Sequence, residues 1–584
     1  MTSAPPTATS VSPTFSLREI PFSTHGSWLA ISPVTAHATY ADDLHLMSHT
    51  GGMHPVFRLT PVRGAKRVQA TVTGTPALLS WDSAGDEIQA VFASEDVVRV
   101  RGNGRLGLCL SVAEAELTPF TGGYFFHDPV AAAYVLTSYE TGRRYRVTVL
   151  SGSVESEGLQ ALGHANRRLV IGADQRPWEI AIEEYESGRP PCRSDGTFDG
   201  LVLAVAKAFR EFVDAVAPWR TGETPAADLA VYLLWSSTVR PTGFLGRPGV
   251  LMSKHWMNKV WSWDHCFNAL ALAPGAPDLA IDQFQLPFDH QDPSGALPDS
   301  VTHSEILYNF VKPPIHGWAF GLLRRALPRE LTREELDETY RRLAAWTEFW
   351  LTTRRAPGSP LPHYQHGNDS GWDNATAFDP ERLVESADLP AFLILQLRQV
   401  AALAAELSHD ADAERWRTAA DRLQTDMFAL LWRGDHFHTR GVVSGQDWHT
   451  DGLLDLMPIV LGAELPNEIA DALATRIAAH LTEFGLATER PGSPHYQADG
   501  YWRGPIWAPS TILIENGLRR AGHTAPADEI SARFRALCER SGFAENFDAL
   551  TGAGLRDRAY TWTASAYLLL AAAHVARTGP RRSG

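Results

Sequence analysis

A chain of 584 residues with net charge −15 and a sequence pI near 5.8 carries no basic stripe for a phosphate backbone, which argues against nucleic acid as its partner. Hydrophobic residues at 44% and charged residues at 20% suit a globular protein with a sizeable core and exclude a disordered or fibrous chain. No basic region followed by an apolar core opens the chain, and no run of about 18 apolar residues stands out. Neither a secretory leader nor a membrane span is expected, and the expected location is cytoplasmic.

The four cysteines, Cys109, Cys192, Cys266 and Cys538, fit neither a zinc pattern nor a dense disulfide framework, so they are expected to be reduced and mostly buried. Eighteen tryptophans are a high count, and they point to aromatic-lined clefts or to a large, well-packed core.

In chain order, residues 1–14 are rich in Pro, Ser and Thr and read as a loose arm. Residues 15–190 have a β texture. Short runs at 67–72 (RVQATV), 88–92 (IQAVF), 97–101 (VVRVR), 106–112 (LGLCLSV), 134–137 (YVLT) and 145–150 (YRVTVL) alternate or are β-branched, with turn residues between them. They predict an N-terminal β-sandwich. Residues 191–224 read as a linker holding a helix near 199–217.

From 225 to 580 the period becomes helical. Apolar periodicity predicts helices near 226–239, 264–273, 278–289, 315–327, 333–354, 387–407, 411–431, 450–462, 467–482, 508–521, 526–540 and 558–577. Almost no strand signal separates them. A dozen helices of this length suggest six hairpins closed into a C-terminal (α/α)6 barrel, with the site where the loops of one end converge.

Four loops have a composition that no core element would choose. Residues 367–374 read GNDSGWDN, following Tyr364 and His366. Glycines permit tight turns, the amide and carboxyl side chains bind hydroxyls, and Trp372 offers a flat apolar face next to the carboxyl of Asp373. Such a wall desolvates a carboxyl and raises its pKa, which suits a general acid; the alternative is a solvated Asx-turn. Residues 261–268 (WSWDHCFN) place Trp263 and Asp264 at a helix start, where they could grip a sugar through stacking and a carboxylate; the alternative is an Asp N-cap. Residues 501–507 (YWRGPIW) offer Trp502 and Arg503, and residues 545–554 (ENFDALTGAG) begin with Glu545.

Other chemistries lack their residues. His363 and His366 form an HxxH and His436 and His438 an HxH, but neither has a third ligand at a recognised spacing, so no metal is expected. No G-x-S-x-G elbow and no Gly-rich phosphate loop is present. Carboxylates among aromatics and amides remain, which is the inventory for glycoside hydrolysis. Asp373 reads as the acid and Glu545 as the second carboxylate, although spacing alone does not rank Glu545 above Asp264, Asp299 or Asp369.

The motifs SGWDN (370–374), YWRGPIW (501–507) and ENFDALTGAG (545–554), supported by WSWDH (261–265), resemble those of the inverting (α/α)6-barrel glycosidases of glycoside hydrolase family 63, relatives of trehalases and of mannosylglycerate and glucosylglycerate hydrolases. The resemblance covers about residues 225–578. It implies that Asp373 is the general acid and Glu545 the general base. Phe547 stands where a tyrosine is common, the insert that larger members carry between the second pair of helices is not seen, and neither is a calcium loop.

The combined expectation is an exo-acting inverting α-glycosidase, first of all an α-glucosidase, with Asp373 protonated and Glu545 ionised. Trp263, Trp372, Trp502 and Tyr364 are expected to line the pocket. Asp264, His366, Asn368, Asp369 and Arg503, with the turns at Gly371 and Gly504, are expected to hold sugar hydroxyls. A small neutral or weakly acidic carbohydrate is the expected partner, without a cofactor, nucleic acid or membrane. The alternatives are a mannosylglycerate- or glucosylglycerate-type hydrolase, a trehalase-like enzyme, a non-catalytic carbohydrate-binding protein on the same fold, and an epimerase or lyase on the same toroid.

Overall fold

The computed structural model describes residues 12–36, 39–64, 66–113, 124–159, 166–193 and 196–578. Most of the arm expected at residues 1–14 lies outside the described residues. The chain divides into two compact units, one comprising residues 1–213 with 235–237 and 254–256, the other the remainder.

The first unit is built on two antiparallel sheets. One begins with β1 (Leu29–Ala36), β2 (Thr39–Ser48) and β3 (His54–Arg63), and adds Gly107–Val112, Arg168–Ile171 and Val154–Glu157 in that order. The other runs from Tyr124–Asp128 through Ala133–Thr137, Arg144–Ser151, Trp178–Tyr185, Val97–Asn103, Asp86–Ser94 and Leu79–Ser83 to Thr71–Gly74. Strands such as Gly107–Val112 are buried along almost their whole length, because both faces are covered. Strand β1 carries Pro33 and β3 carries Pro55 and Pro61, and the three opening strands lack clean alternation, so the sequence holds little sign of them.

The second unit is helical, and its helices match the sequence reading closely. They include α1 (Asp264–Leu272), α2 (Pro277–Gln285), α3 (His316–Ala326), α4 (Arg333–Thr352), α5 (Asp388–Glu406) and α6 (Asp410–Leu431). A stretch at Leu453–Glu464 follows, then α7 (Asn467–Ala478), α8 (Ala508–Arg520), α9 (Thr524–Ser541) and α10 (Thr561–Thr578). Leu453–Glu464 is wound as a 3-10 helix rather than an α-helix, with Pro458 inside it and Gly462 at φ 59°. Neighbours pack in succession: α1 on α3, α3 on α5, α5 on Leu453–Glu464, that element on α8, α8 on α10, and α10 back on α1. Helices α2, α6, α7 and α9 each pack against a member of this succession.

Helix α5 is long and apolar enough to cross a membrane by length and composition, which the sequence reading overlooked. It is mostly buried against α3, α4, α6 and Leu453–Glu464, and so serves as a core helix. None of the four cysteines is in a disulfide; three are buried and Cys192 is partly so. Short ladders that the sequence did not signal join the helix-connecting loops, including Val260–Trp261 with Ser300–Val301 and Ile306–Leu307, and Asn546–Phe547 with Gly554–Leu555.

Candidate active site

The four polar-aromatic loops converge through backbone and ring contacts. Asn374 is the clamp between two of them: its side-chain amide donates to the Gly500 carbonyl at 3.0 Å, and its Oδ1 accepts from the Trp502 amide at 3.0 Å. The Arg503 Nε donates to the Asn374 carbonyl at 2.7 Å. Ile506 and Phe547 exchange backbone hydrogen bonds at 2.7 and 3.0 Å, which docks the Glu545 loop on the Trp502 loop. Gly371 sits at φ +75°, and a Cβ there would lie 2.6 Å from the Trp263 ring, so the first and second loops touch only because residue 371 is glycine.

Tryptophans form a continuous wall behind these loops. Trp263 meets Trp562 edge-on at 6.0 Å, and Trp562 meets Trp507 at 5.4 Å. Trp507 stacks flat on Trp502 at 4.0 Å, and Trp502 lies 4.7 Å from Trp372. Each ring in the chain is almost fully buried. The tryptophan surplus thus serves both expected purposes, core packing and the wall of a site.

Asp264, Asp373 and Glu545 share one electrostatic field: the charge of Asp373 pushes up the pKa of both Asp264 and Glu545. Burial is the larger cause in each case, and it raises both groups to about 8. Asp557 adds to the rise at Glu545, and Arg556 opposes it. Burial likewise raises half-buried Asp373, against the opposing charge of Lys312. Asp264 is not the N-cap of α1, a place taken by Trp263; it is the first helical residue. Its Oδ2 and the Oε2 of Glu545 are buried without a hydrogen-bond partner among the described residues, which is where a ligand's hydroxyl or a water would be satisfied. Glu545 was expected to be ionised. Its burial without a hydrogen-bonded counterion favours the neutral form at pH 7 in the free protein.

Lys312 is a buried cation of the site, and the sequence reading missed it. It is almost fully buried, pairs with Asp299 at 3.0 Å, and donates to the Asn368 carbonyl at 3.0 Å. Its ammonium also lies 5.5 Å from the centre of the Trp261 ring. Burial alone would depress its pKa, but Asp299, Asp373 and Asp264 together hold it above the ordinary value. The only sequence sign was a lone lysine in the apolar and proline run at 310–314 (FVKPP). Tyr501 and Tyr560 were missed as well. The charges of Glu545 and Asp264 act on both, and burial drives both phenols well up. Tyr501 holds φ +63°, an unusual strain for a bulky residue.

Several expected sugar ligands also hold protein partners. Asp369 accepts from the Val311 amide, the Gln365 amide and Arg354, so it braces the turn. Arg503 is held by Asn374 and Asp379. Tyr364 donates to Asp388 at 2.8 Å, with its ring against Trp350 and Phe378. His366 accepts from the Asn368 amide, bonds Arg382 and stacks on Phe310. Asn368 contributes its carbonyl to Lys312. Gly504, at φ +153°, lies where a Cβ would meet the Gln497 carbonyl at 2.2 Å, and its amide donates to Thr488. Each of these residues has a protein partner that sequence spacing does not reveal.

The chain is 26% identical over 425 residues to a mannosylglycerate hydrolase of Rubrobacter radiotolerans, covering 56% of this chain and 93% of that one. It is 22% identical to a glucosylglycerate hydrolase of Mycolicibacterium hassiacum, covering 59% and 97%. Among solved structures, the GH63 mannosylglycerate hydrolase from Thermus thermophilus in complex with glucose superposes with a TM-score of 0.53 at 24% identity, over 59% of this chain and 99% of that one. The family model for the mannosylglycerate hydrolase MGH1-like glycoside hydrolase domain matches residues 257–563, more than half of the chain. The chain therefore belongs to the MGH1-like glycoside hydrolases, and it is a glycoside hydrolase.

Proposed function

We propose that this enzyme is an inverting α-glycosidase that hydrolyses a hexosylglycerate, on a catalytic (α/α)6 toroid. The observation that carries the reading is the shared field of Asp373 and Glu545, set on loops bound to each other through Asn374 and through the Ile506–Phe547 ladder. The names of relatives that match over more than half of this chain favour glycerate as the leaving group over the α-glucosidase reading that the sequence put first.

Asp373, with its pKa raised by burial, protonates the glycosidic oxygen as the bond to the anomeric carbon breaks. Glu545 accepts a proton from a water that attacks the opposite face, so the α-linked sugar leaves as the β-anomer. A water donating to the unpartnered Oε2 of Glu545 would favour its ionised form and so prepare the base. Asp264, also neutral below about pH 8, can donate or accept at a sugar hydroxyl.

The test is to incubate the protein with mannosylglycerate, glucosylglycerate, trehalose and maltose, and to follow the released hexose by NMR. Turnover of a hexosylglycerate with first release of the β-anomer is expected. Asp373→Asn should lower kcat by roughly 10²–10⁴-fold. Turnover of the disaccharides alone would overturn the substrate, a retained anomer the mechanism, and full activity of Asp373→Asn the acid.

A further inference from the structure

We infer that His436, His438 and His449 form a binding site for a late first-row divalent metal ion, with Zn²⁺ the expected occupant. The three imidazoles each bring one nitrogen within 4.8 Å of the others. The His436 and His438 Nε2 atoms are 3.0 Å apart, and the His449 ring centre lies 4.9 Å from that of His436 and 5.7 Å from that of His438.

Local backbone pairing makes this cluster. Trp432 and Phe437 bridge at the end of α6, and the His438 amide donates to the Leu431 carbonyl at 2.9 Å. Thr439–Gly441 then pairs antiparallel with Asp447–Trp448, with Thr439 opposite Trp448. His438 precedes Thr439 and His449 follows Trp448, so continuing the register by one residue sets the two histidines side by side. The third ligand that the HxH lacked in the sequence is therefore supplied across a hairpin.

The chemistry of the set points to a metal rather than to an isolated hydrogen bond. Imidazole nitrogens suit zinc, copper and nickel, and three of them with an exposed side leave a coordination position open. His449 is exposed and the other two are half-buried, so an ion can enter from solvent. The Asp435 carboxylate lies 2.5 Å from the His436 Nδ1, which fixes that ring and leaves its Nε2 free to ligate. Two nearby cations are paired with carboxylates, Arg433 with Asp447 at 2.8 Å and Arg476 with Asp435 at 3.9 Å. A bound ion would clip the hairpin whose Trp448 indole donates to the Ala377 carbonyl at 3.1 Å, just past the Asp373 loop.

The test is equilibrium dialysis of the metal-stripped full-length protein against Zn²⁺ with metal analysis, supported by the visible spectrum of the Co²⁺ form. One ion per chain is expected, with a tetrahedral cobalt spectrum and a rise in Tm. His449→Ala, which alters an exposed side chain, should weaken binding by at least about tenfold, and Asp435→Asn by roughly 10–100-fold. Circular dichroism of each variant checks the fold. Equal Zn²⁺ affinity in wild type and His449→Ala, or less than one ion per chain at saturation in wild type, would overturn the site.

Discussion

The ammonium of Lys312 and the carboxylate of Asp299 form a buried ion pair at 3.0 Å, and the same ammonium draws down the pKa values of Asp264 and Asp373. One cation therefore offsets part of the charge of three carboxyls. The ladder of Val260–Trp261, Ser300–Val301 and Ile306–Leu307 places it there, since Asp299 borders the middle strand and accepts from the Ser262 amide through its carbonyl.

Lys312→Met should therefore be costly in two ways. Removing one partner of a buried pair leaves an uncompensated charge, worth about 3–5 kcal/mol of stability. Asp299→Asn in the same chain removes that charge and should recover a large part of the loss. Denaturant unfolding of the two variants checks this. A single variant as stable as wild type would show that Lys312 does not compensate Asp299.

The pH profile of kcat/KM should lie to the alkaline side of that of an ordinary carboxyl pair. The base must be ionised and the acid protonated. Burial pushes the free-protein pKa of Glu545 up to about 8, so activity should fall as pH drops below that value. The carboxyls titrate as a coupled set, so the limbs belong to the set rather than to single residues. Two variants move the acidic limb in opposite directions. Asp557→Asn removes a negative charge that raises Glu545 and should shift the limb to lower pH. Arg556→Gln removes a positive charge that lowers it and should shift the limb to higher pH. Shifts of the same sign in both variants would mean that Glu545 does not set the limb.

The helices were legible because each buries one face and repeats its apolar residues at helical spacing, as α4 does with its Thr332–Glu335 capping box. Leu453–Glu464 was read as helical, but its 3-10 winding depends on Pro458 and Gly462 acting within tertiary packing. Strands β1 to β3 went unread because proline and two-sided burial break their alternation. In the site, the carboxyls were visible from their aromatic neighbours. The partners of Arg503, Asp369 and Lys312, which are Asp379, Arg354 and Asp299 respectively, were not. Composition marks a polar loop, but it does not say whether a given donor faces the protein or a ligand.

Gly371→Ala tests the contact between the first two loops. A side chain at φ +75° costs about 1–2 kcal/mol in backbone strain. Its Cβ would also meet the Trp263 ring at 2.6 Å, and overpacking of this kind typically costs about 1–3 kcal/mol. The ring is wedged against Phe267 and Trp562, so it has little room to retreat, and the Asp373 loop should move instead. The expected result is a lower Tm together with a fall in kcat. Trp263→Phe in the Gly371→Ala background removes the steric part and leaves the backbone part. The double variant should therefore be more stable than the sum of the single losses, by an interaction energy of about 0.5–3 kcal/mol. Strict additivity would show that the glycine is required for its dihedral angle alone and that the ring contact does not hold the Asp373 loop in place.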